Sequence, residues 1–350
     1  MIDYLIVGGG YSGIAFSWEL EKRNISYKLA DPFSKNSATY ISGGLINPVT
    51  GRKYGLQWNI EELITLVKKE YGLLEDKFKT KFLFETDILK VHKSESSLEE
   101  WLKAKGNNAL NPFISENYEH KNCNRFVDFR FGAITIKNAL RIDAESLSTH
   151  YFNFIKEKRI PEKINYENLQ NFDDHFEYNN EKFKNIIFCE GVAALNNPWF
   201  KNVPFKPAKG ECLIIEIPNF TTKIVINKGL ILIPFGGNKF WAGATNSWDD
   251  MTLNSTEIGL SELRNGLDEL LKVPYVVLET KVAIRPTIRD RAPVVGRHPE
   301  NSNLYILNGM GTKGASLSTY YAQKLFNFIE YNAPIPLEAD IKRFYDLFRK

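Results

Sequence analysis

Cysteine is scarce: Cys123, Cys189 and Cys212 are the only three in 350 residues, and they stand far apart with no CxxC spacing. That excludes a disulfide scaffold, a zinc ribbon and a dithiol redox pair, predicts no metal site, and fits a reducing cytoplasm. Long apolar runs are missing too. Nothing approaches the roughly 18 residues of a membrane span, and the run Tyr4–Val7 leads into glycines rather than a small-residue cleavage site. A signal peptide and a membrane partner are therefore not expected. Neither sign of charge dominates, with 45 Lys+Arg against 42 Asp+Glu and a net charge of +3, so no concentrated basic face for nucleic acid is announced. Repeats and low-complexity tracts are also lacking.

What is present is ordinary globular composition, 43% hydrophobic and 13% aromatic, in a chain long enough for two cores. Asp3–Val7 reads as a strand, Gly8-Gly9-Gly10 as a tight turn, Ser12–Arg23 as a helix and Tyr27–Ala30 as a second strand ending at Asp31-Pro32. This is the length of one βαβ crossover. Ile60, Leu63, Ile64, Val67, Tyr71 and Leu74 recur at helical spacing. Short β-type runs follow at 82–84, 88–91, 133–136, 213–217, 224–226, 230–233 and 239–242, suggesting a mostly antiparallel sheet. A helix over 144–158 and a buried strand over 184–189 return the chain to its first half, and Asn165–Asn185 reads as a hairpin or loop. Leu304–Leu307, the glycines 309, 311 and 314, and a helix from about Ser316 to Tyr331 repeat the opening grammar.

Gly8-x-Gly10-x-x-Gly13, placed after a strand and opening a helix, is the dinucleotide fingerprint: bare backbone N–H groups and a helix dipole meet a pyrophosphate. Ser12 lies inside it. Asp31, 18 residues after Gly13, ends the second strand where a carboxylate accepts hydrogen bonds from a ribose. The fingerprint by itself serves NAD and FAD equally. His92, His120, His150, His175 and His298 lie in polar stretches and read as surface residues, which leaves no acid/base partner of the kind a nicotinamide dehydrogenase uses.

Beyond the fingerprint, the chain resembles the D-amino acid oxidase-like flavoproteins, a family that includes glycine oxidase, sarcosine oxidase and the oxidase half of a tRNA-uridine modifying enzyme. The resemblance rests on the opening glycines, Ser42-Gly43-Gly44-Leu45-Ile46-Asn47-Pro48, Pro207–Glu211, Trp241–Thr245, Arg285-Pro286-Thr287 running to Asp290–Gly296, and Gly309–Gly314. It implies an α/β fold: a Rossmann-like FAD-binding domain of glutathione-reductase type (1–75, 140–205 and 284–350) and a mostly antiparallel β substrate domain carrying helices (76–139 and 206–283). It also implies FAD contacts from Gly8, Gly10, Ser12, Gly13, Asp31, Gly43, Gly44, Gly309, Gly311, Thr312, Lys313 and Gly314. Gly191 is counted with them. The catalytic pair implied is Arg285, gripping an amino-acid carboxylate through its planar fork, and Lys313, lining the same cavity.

The activity implied is oxidation of the C–N bond of a small amino acid or N-substituted glycine to an imine, with oxygen or another acceptor downstream. Two alternatives stay open: a tRNA-uridine oxidase acting on a carboxymethylamino group, and a flavoprotein subunit of a larger complex that does not turn over. A homo-oligomer is compatible with either. Phe235 after Pro234 and Asn246 after Thr245 depart from the family pattern, and Ala283 occupies the position of flavin-linking cysteines, so FAD is expected to bind noncovalently. An Arg285–Asp290 ion pair is the competing role for that arginine. Lys209 and Lys281 are candidates for assisting oxygen, and Trp241 and Trp248 read as sheet packing.

Overall fold

The computed structural model describes residues 1–116 and 121–349. It divides into two compact units, one of Met1–Ser42, Ala144–Ala208 and Ile284–Lys350 and one of Gly43–Asp143 and Lys209–Ala283.

In the first unit, strand β1 (Ile2–Val7), helix α1 (Tyr11–Glu21) and strand β2 (Tyr27–Ala30) form the expected crossover. β1 is apolar on both faces because it runs inside a parallel sheet, flanked by β2 on one side and Glu181–Phe188 on the other. Glu181–Phe188 in turn pairs in parallel with Leu304–Asn308, so three neighbouring strands end at one edge of the sheet. Asn165–Asn185 does fold as a hairpin, Phe176–Tyr178 turning back through Asn179-Asn180 onto Glu181–Phe183. Leu5, Val7, Phe183, Ile186, Phe188 and Ile306 lie in one core. Helix Gly314–Tyr331 packs against α1, and both bury most of their surface.

The second unit is built on a nine-stranded sheet among the described residues. Most of its described pairings are antiparallel, whereas Val225–Asn227 and Ile88–Lys90 run parallel. Leu213, Ile215, Leu232, Phe240 and Ala242 form one face of that sheet and pack with Leu263 and Leu267 of helix Glu257–Leu270.

Three features differ from the sequence reading. Residues 43–75 lie in the second unit, because Leu45–Ile46 pairs with Leu140–Arg141 and the Gly44 carbonyl accepts from Ile142 N at 2.9 Å. Residues 140–143 go with them, while 206–208 join the first unit. The runs 82–84 and 88–91 are one strand, Leu83–Val91, whose polar middle Glu85-Thr86-Asp87 is not buried. Helices Glu95–Ala104 and Glu257–Leu270 were not anticipated; the first buries only Trp101 and starts from a Ser94–Ser97 capping box.

Candidate cofactor site and its neighbours

Three glycine turns leave the ends of the parallel strands. Gly8–Gly10 follows β1, Cys189–Gly191 follows Glu181–Phe188, and Gly309–Gly314 follows Leu304–Asn308. Ligands of open α/β sheets bind outside such strand ends. The turns are tightly fitted to one another. Gly8 has φ +97°, and a Cβ there would lie 2.5 Å from the Cys189 carbonyl. A Cβ on Gly13 would lie 1.9 Å from the Gly8 carbonyl, so only glycine lets α1 start this close to β1. The Asn308 side chain ties the other two turns together: its Nδ2 donates to the Gly191 carbonyl at 2.9 Å and its Oδ1 accepts from Gly309 N at 2.8 Å.

Two helices open at this edge without a side chain of their own as cap. Gly10 precedes α1 and Lys313 precedes Gly314–Tyr331, and neither offers a side-chain hydrogen bond to the first turn. Thr39 Oγ1 accepts from Tyr11 N at 3.0 Å, a contact between residues 28 apart. The two helix starts are neighbours: a Cβ on Gly314 would reach 2.9 Å from the Tyr11 ring, and Ser12 Oγ lies 3.3 Å from Ser318 Oγ. A positive helix end favours negative charge. Burial pushes the Lys313 ammonium below its ordinary pKa.

Asp31 holds the first turn. Its Oδ2 accepts from Gly9 N at 2.7 Å and its Oδ1 from Phe33 N at 2.6 Å, each oxygen keeping a further lone pair. Beside it, Arg159 donates to the Asp31 carbonyl at 3.3 Å and lies 4.6 Å from the Phe152 ring centroid, while its Nε is buried without a hydrogen-bond partner. An orphaned buried donor beside the first glycine turn is what an incoming polar ligand satisfies. Glu190 accepts from the Tyr166 hydroxyl and, at 2.7 Å, from Asn197 Nδ2; burial raises its carboxyl pKa. Thr39, Arg159, Glu190 and Asn308 were missed in the sequence, since nothing local marks them.

Arg285 ends strand Val276–Arg285 and is half-buried. The strap that follows runs along the glycine turns: Pro286 is 4.0 Å from a Cβ placed on Gly191, Thr287 is 3.2 Å from one on Gly311, and Ile288 is 2.6 Å from one on Gly309. Asp290 is occupied elsewhere, by Arg343 Nε at 2.8 Å and Ala292 N at 3.0 Å. Thr312 is exposed, next to Lys313.

Gly43 and Gly44 belong to the second unit. A Cβ on Gly44 would lie 1.9 Å from the Ile142 carbonyl, and one on Gly43 2.4 Å from Ile233 and 3.4 Å from Trp241. Lys209 is 1% exposed; its ammonium binds the Asp250 carboxylate and donates to the Asn254 carbonyl at 2.5 Å, which fixes it as an anchor of the 250–256 loop. Lys281 pairs with Glu279 at 3.4 Å. His92 and His298 are buried rather than at the surface: His92 Nδ1 meets the Tyr54 hydroxyl at 3.3 Å, and His298 stacks edge-on to Phe200 and Phe348. His120 lies outside the described residues. Trp241 is buried in the sheet as expected, whereas Trp248 is 49% exposed in a loop.

Residues 3–327 match the family described as DAO, FAD dependent oxidoreductase. Glycine oxidase of Geobacillus kaustophilus (strain HTA426) is 30% identical over 118 residues, a stretch covering 32% of this chain and 31% of that protein's length. The crystal structure of glycine oxidase from Geobacillus kaustophilus superposes with a TM-score of 0.79 at 18% identity, covering 98% of this chain and 97% of that one. Iminodiacetate oxidase from Chelativorans sp. BNC1 gives 0.74 at 18% identity over 96% and 97%. L-proline dehydrogenase from P. horikoshii gives 0.76 at 14% identity over 99% and 98%. The structural likenesses carry the fold. The first glycine turn, where Gly8 and Gly13 leave no room for a Cβ, and the orphaned Arg159 Nε fit the adenosine diphosphate half of FAD.

Proposed function

The chain belongs to the DAO family of FAD-dependent oxidoreductases, and from that premise we propose that it oxidises the C–N bond of a small amino acid or N-substituted glycine to an imine. The observation that carries this reading is the single edge where three glycine turns and two helix starts without side-chain caps converge, with Arg285 on the strap beside them. Bound FAD supplies a two-electron acceptor for the substrate hydride, which oxygen or another acceptor then reoxidises. Gly10, Ser12 and Gly13 present amides and a helix start to the pyrophosphate beside the bare turn at Gly8, and Asp31 turns its remaining lone pairs to the ribose. Gly191, Gly309, Gly311, Thr312 and Gly314 line the second and third turns of the same cradle.

Arg285 holds the substrate carboxylate bidentately and so fixes the direction of the Cα–H bond. Lys313, with a depressed pKa, adds a cation that is costly to bury and is therefore best satisfied by negative charge. The names of the relatives, glycine oxidase, iminodiacetate oxidase and L-proline dehydrogenase, support a substrate whose amine is carried on or next to a carboxymethyl-like carbon.

The test is an anaerobic visible spectrum of the purified protein with glycine, sarcosine, proline and a panel of D-amino acids added singly. Bleaching of the flavin band by one of them is the expected result. A folded protein that neither carries nor takes up FAD, or a flavin that no amine reduces, would overturn the proposal.

A further inference from the structure

Three lysines on strands of the second unit are satisfied in different ways. Lys209 and Lys228 are buried, and each meets an aspartate, Asp250 and Asp128 respectively. Lys90, in strand Leu83–Val91, is half-buried, and no carboxylate pairs with it among the described residues. Its neighbours in register, Ile134 and Asn227, carry no charge. Its side-chain nitrogen lies 4.9 Å from the Tyr54 ring centroid and donates to the Gly51 carbonyl at 3.4 Å, its one hydrogen bond among the described residues. Tyr54 is held in turn. Its ring packs 5.2 Å from that of Trp101, and its hydroxyl lies 3.3 Å from Nδ1 of His92, two residues beyond Lys90. Amine, phenol and imidazole thus form one cluster inside the second unit. A Cβ placed on Gly51 would meet nothing within 4 Å, so the turn beside the amine is not packed over.

We propose that Lys90 is a nucleophilic amine, a modification site whose nitrogen condenses with a small aldehyde or 2-oxo acid to an imine, with Tyr54 as the proton donor. The nitrogen lone pair forms the new C–N bond to the carbonyl carbon. The carbonyl oxygen leaves as water and takes the two protons of the amine with it, and nothing is oxidised or reduced. The step needs a neutral amine. A lysine is neutral where burial strips water from the charged form and no carboxylate replaces it. The Tyr54 ring face attracts a cation, but by less than it costs to take an unpaired ion out of water. Burial accordingly holds the Lys90 pKa below the ordinary lysine value. The titratable groups against the amine are Tyr54 and His92. Burial pushes the Tyr54 hydroxyl up to about 12, so it keeps a proton to give. Burial first, and then the Lys90 charge, lower the His92 pKa, which leaves a neutral ring to exchange a proton with that hydroxyl. Amine oxidation releases carbonyl compounds of the same class, but the proposal goes beyond that reading and does not rest on it.

The experiment is reductive trapping on the FAD-loaded protein with glyoxylate, which is an aldehyde and a 2-oxo acid in one molecule, and cyanoborohydride. Exposure is brief, adducts are located by peptide mass spectrometry, and the exposed Lys137 is the internal reference. At neutral pH, Lys90 is expected to be carboxymethylated at least about tenfold faster than Lys137, since a pKa lower by one leaves about tenfold more neutral amine. That ratio is expected to narrow by at least about threefold as pH rises towards 10, where exposed lysines lose their protons too. Tyr54→Phe keeps the ring and removes the proton donor, and is expected to slow Lys90 at least about tenfold while leaving Lys137 unchanged. Equal labelling of the two lysines at neutral pH, a ratio that does not move with pH, or undiminished Lys90 labelling in Tyr54→Phe would overturn the proposal. Should Tyr54→Phe fail to fold, the wild-type ratio and its pH profile decide alone. Trapping needs no turnover. A failure of amine oxidation is therefore read separately, from the flavin band, and does not mimic any of these outcomes.

Discussion

The two units build their candidate chemistry from different materials. In the first, the strand ends carry glycines, amides and helix starts, and side chains such as Asn308 and Asp31 serve mainly to hold those turns in shape. In the second, charged side chains are themselves buried and tied: Lys209 to Asp250 and the 250–256 loop, Lys228 to Asp128 and the Glu269 carbonyl, Glu211 to Thr256 at the start of helix Glu257–Leu270. A site made of backbone has little spare volume: at Gly8 and Gly13 an added Cβ collides with another stretch of backbone. One made of side chains responds by degrees, according to which partner is lost and whether water can replace it.

The contrast is sharpest at Gly13. Gly13→Ala puts a Cβ 1.9 Å from the Gly8 carbonyl and must push α1 off β1, so a loss on the order of 4 kcal/mol is expected. The variant should purify without flavin bands and melt earlier, as visible spectra and thermal denaturation will show. Asn308→Ala removes two hydrogen bonds that join two turns and leaves the Gly309 amide unpaired, a cost of about 3 kcal/mol. Weaker FAD retention at unchanged secondary structure, read by equilibrium dialysis and circular dichroism, is the expected result.

Asp250 gives the second unit its signature in acid. Hydrogen bonding from Lys209 holds its carboxyl down to about 2, below the ordinary 3.8. The folded protein therefore keeps this group ionised where the unfolded chain protonates it, and the stabilisation is full above the ordinary value and fades as pH falls towards 2. Asp250→Asn should melt below the wild type at pH 7, with the gap closing on acidification; a gap independent of pH would show that the Lys209 contact is not what lowers this carboxyl. The smallest effect is expected at Glu190. Its burial favours the protonated form, so Glu190→Gln preserves an acceptor for Tyr166 and should shift stability by no more than about 1 kcal/mol. A large loss would move Glu190 from the supporting group to the cofactor site.

These differences also decide what was legible in the sequence. The crossover 1–31 and the turn at 309–314 could be read because glycine spacing and apolar period are local signals, and the elements fall within a few residues of the expected ends. The placement of 43–75 was not legible: it depends on Leu45 pairing with Arg141, 96 positions away, and no periodicity encodes a partner. Helices Glu95–Ala104 and Glu257–Leu270 escaped because their buried residues are few and their mean hydropathy is low. Among site residues, the glycines announced themselves, whereas Thr39, Arg159 and Asn308 act through contacts made only after folding. The partners of Lys209 are hidden in the sequence for the same reason, since Asp250 and Asn254 meet it only once the 250–256 loop is laid down.

The interleaving of segments has a consequence for how the molecule is made. The second unit needs only residues 43–143 and 209–283, so all of its strands have been synthesised before the ribosome reaches Leu304–Asn308. β1 leaves the ribosome well before its parallel neighbour Glu181–Phe188, which comes nearly 180 residues later, and the next strand, Leu304–Asn308, comes later still. At roughly 5–20 residues per second, the fingerprint strand waits on the order of ten seconds or more for its sheet. The segment that carries the nucleotide signature is thus translated well ahead of Glu181–Phe188, with which it pairs, and an apolar edge must be kept from wrong partners in the interval.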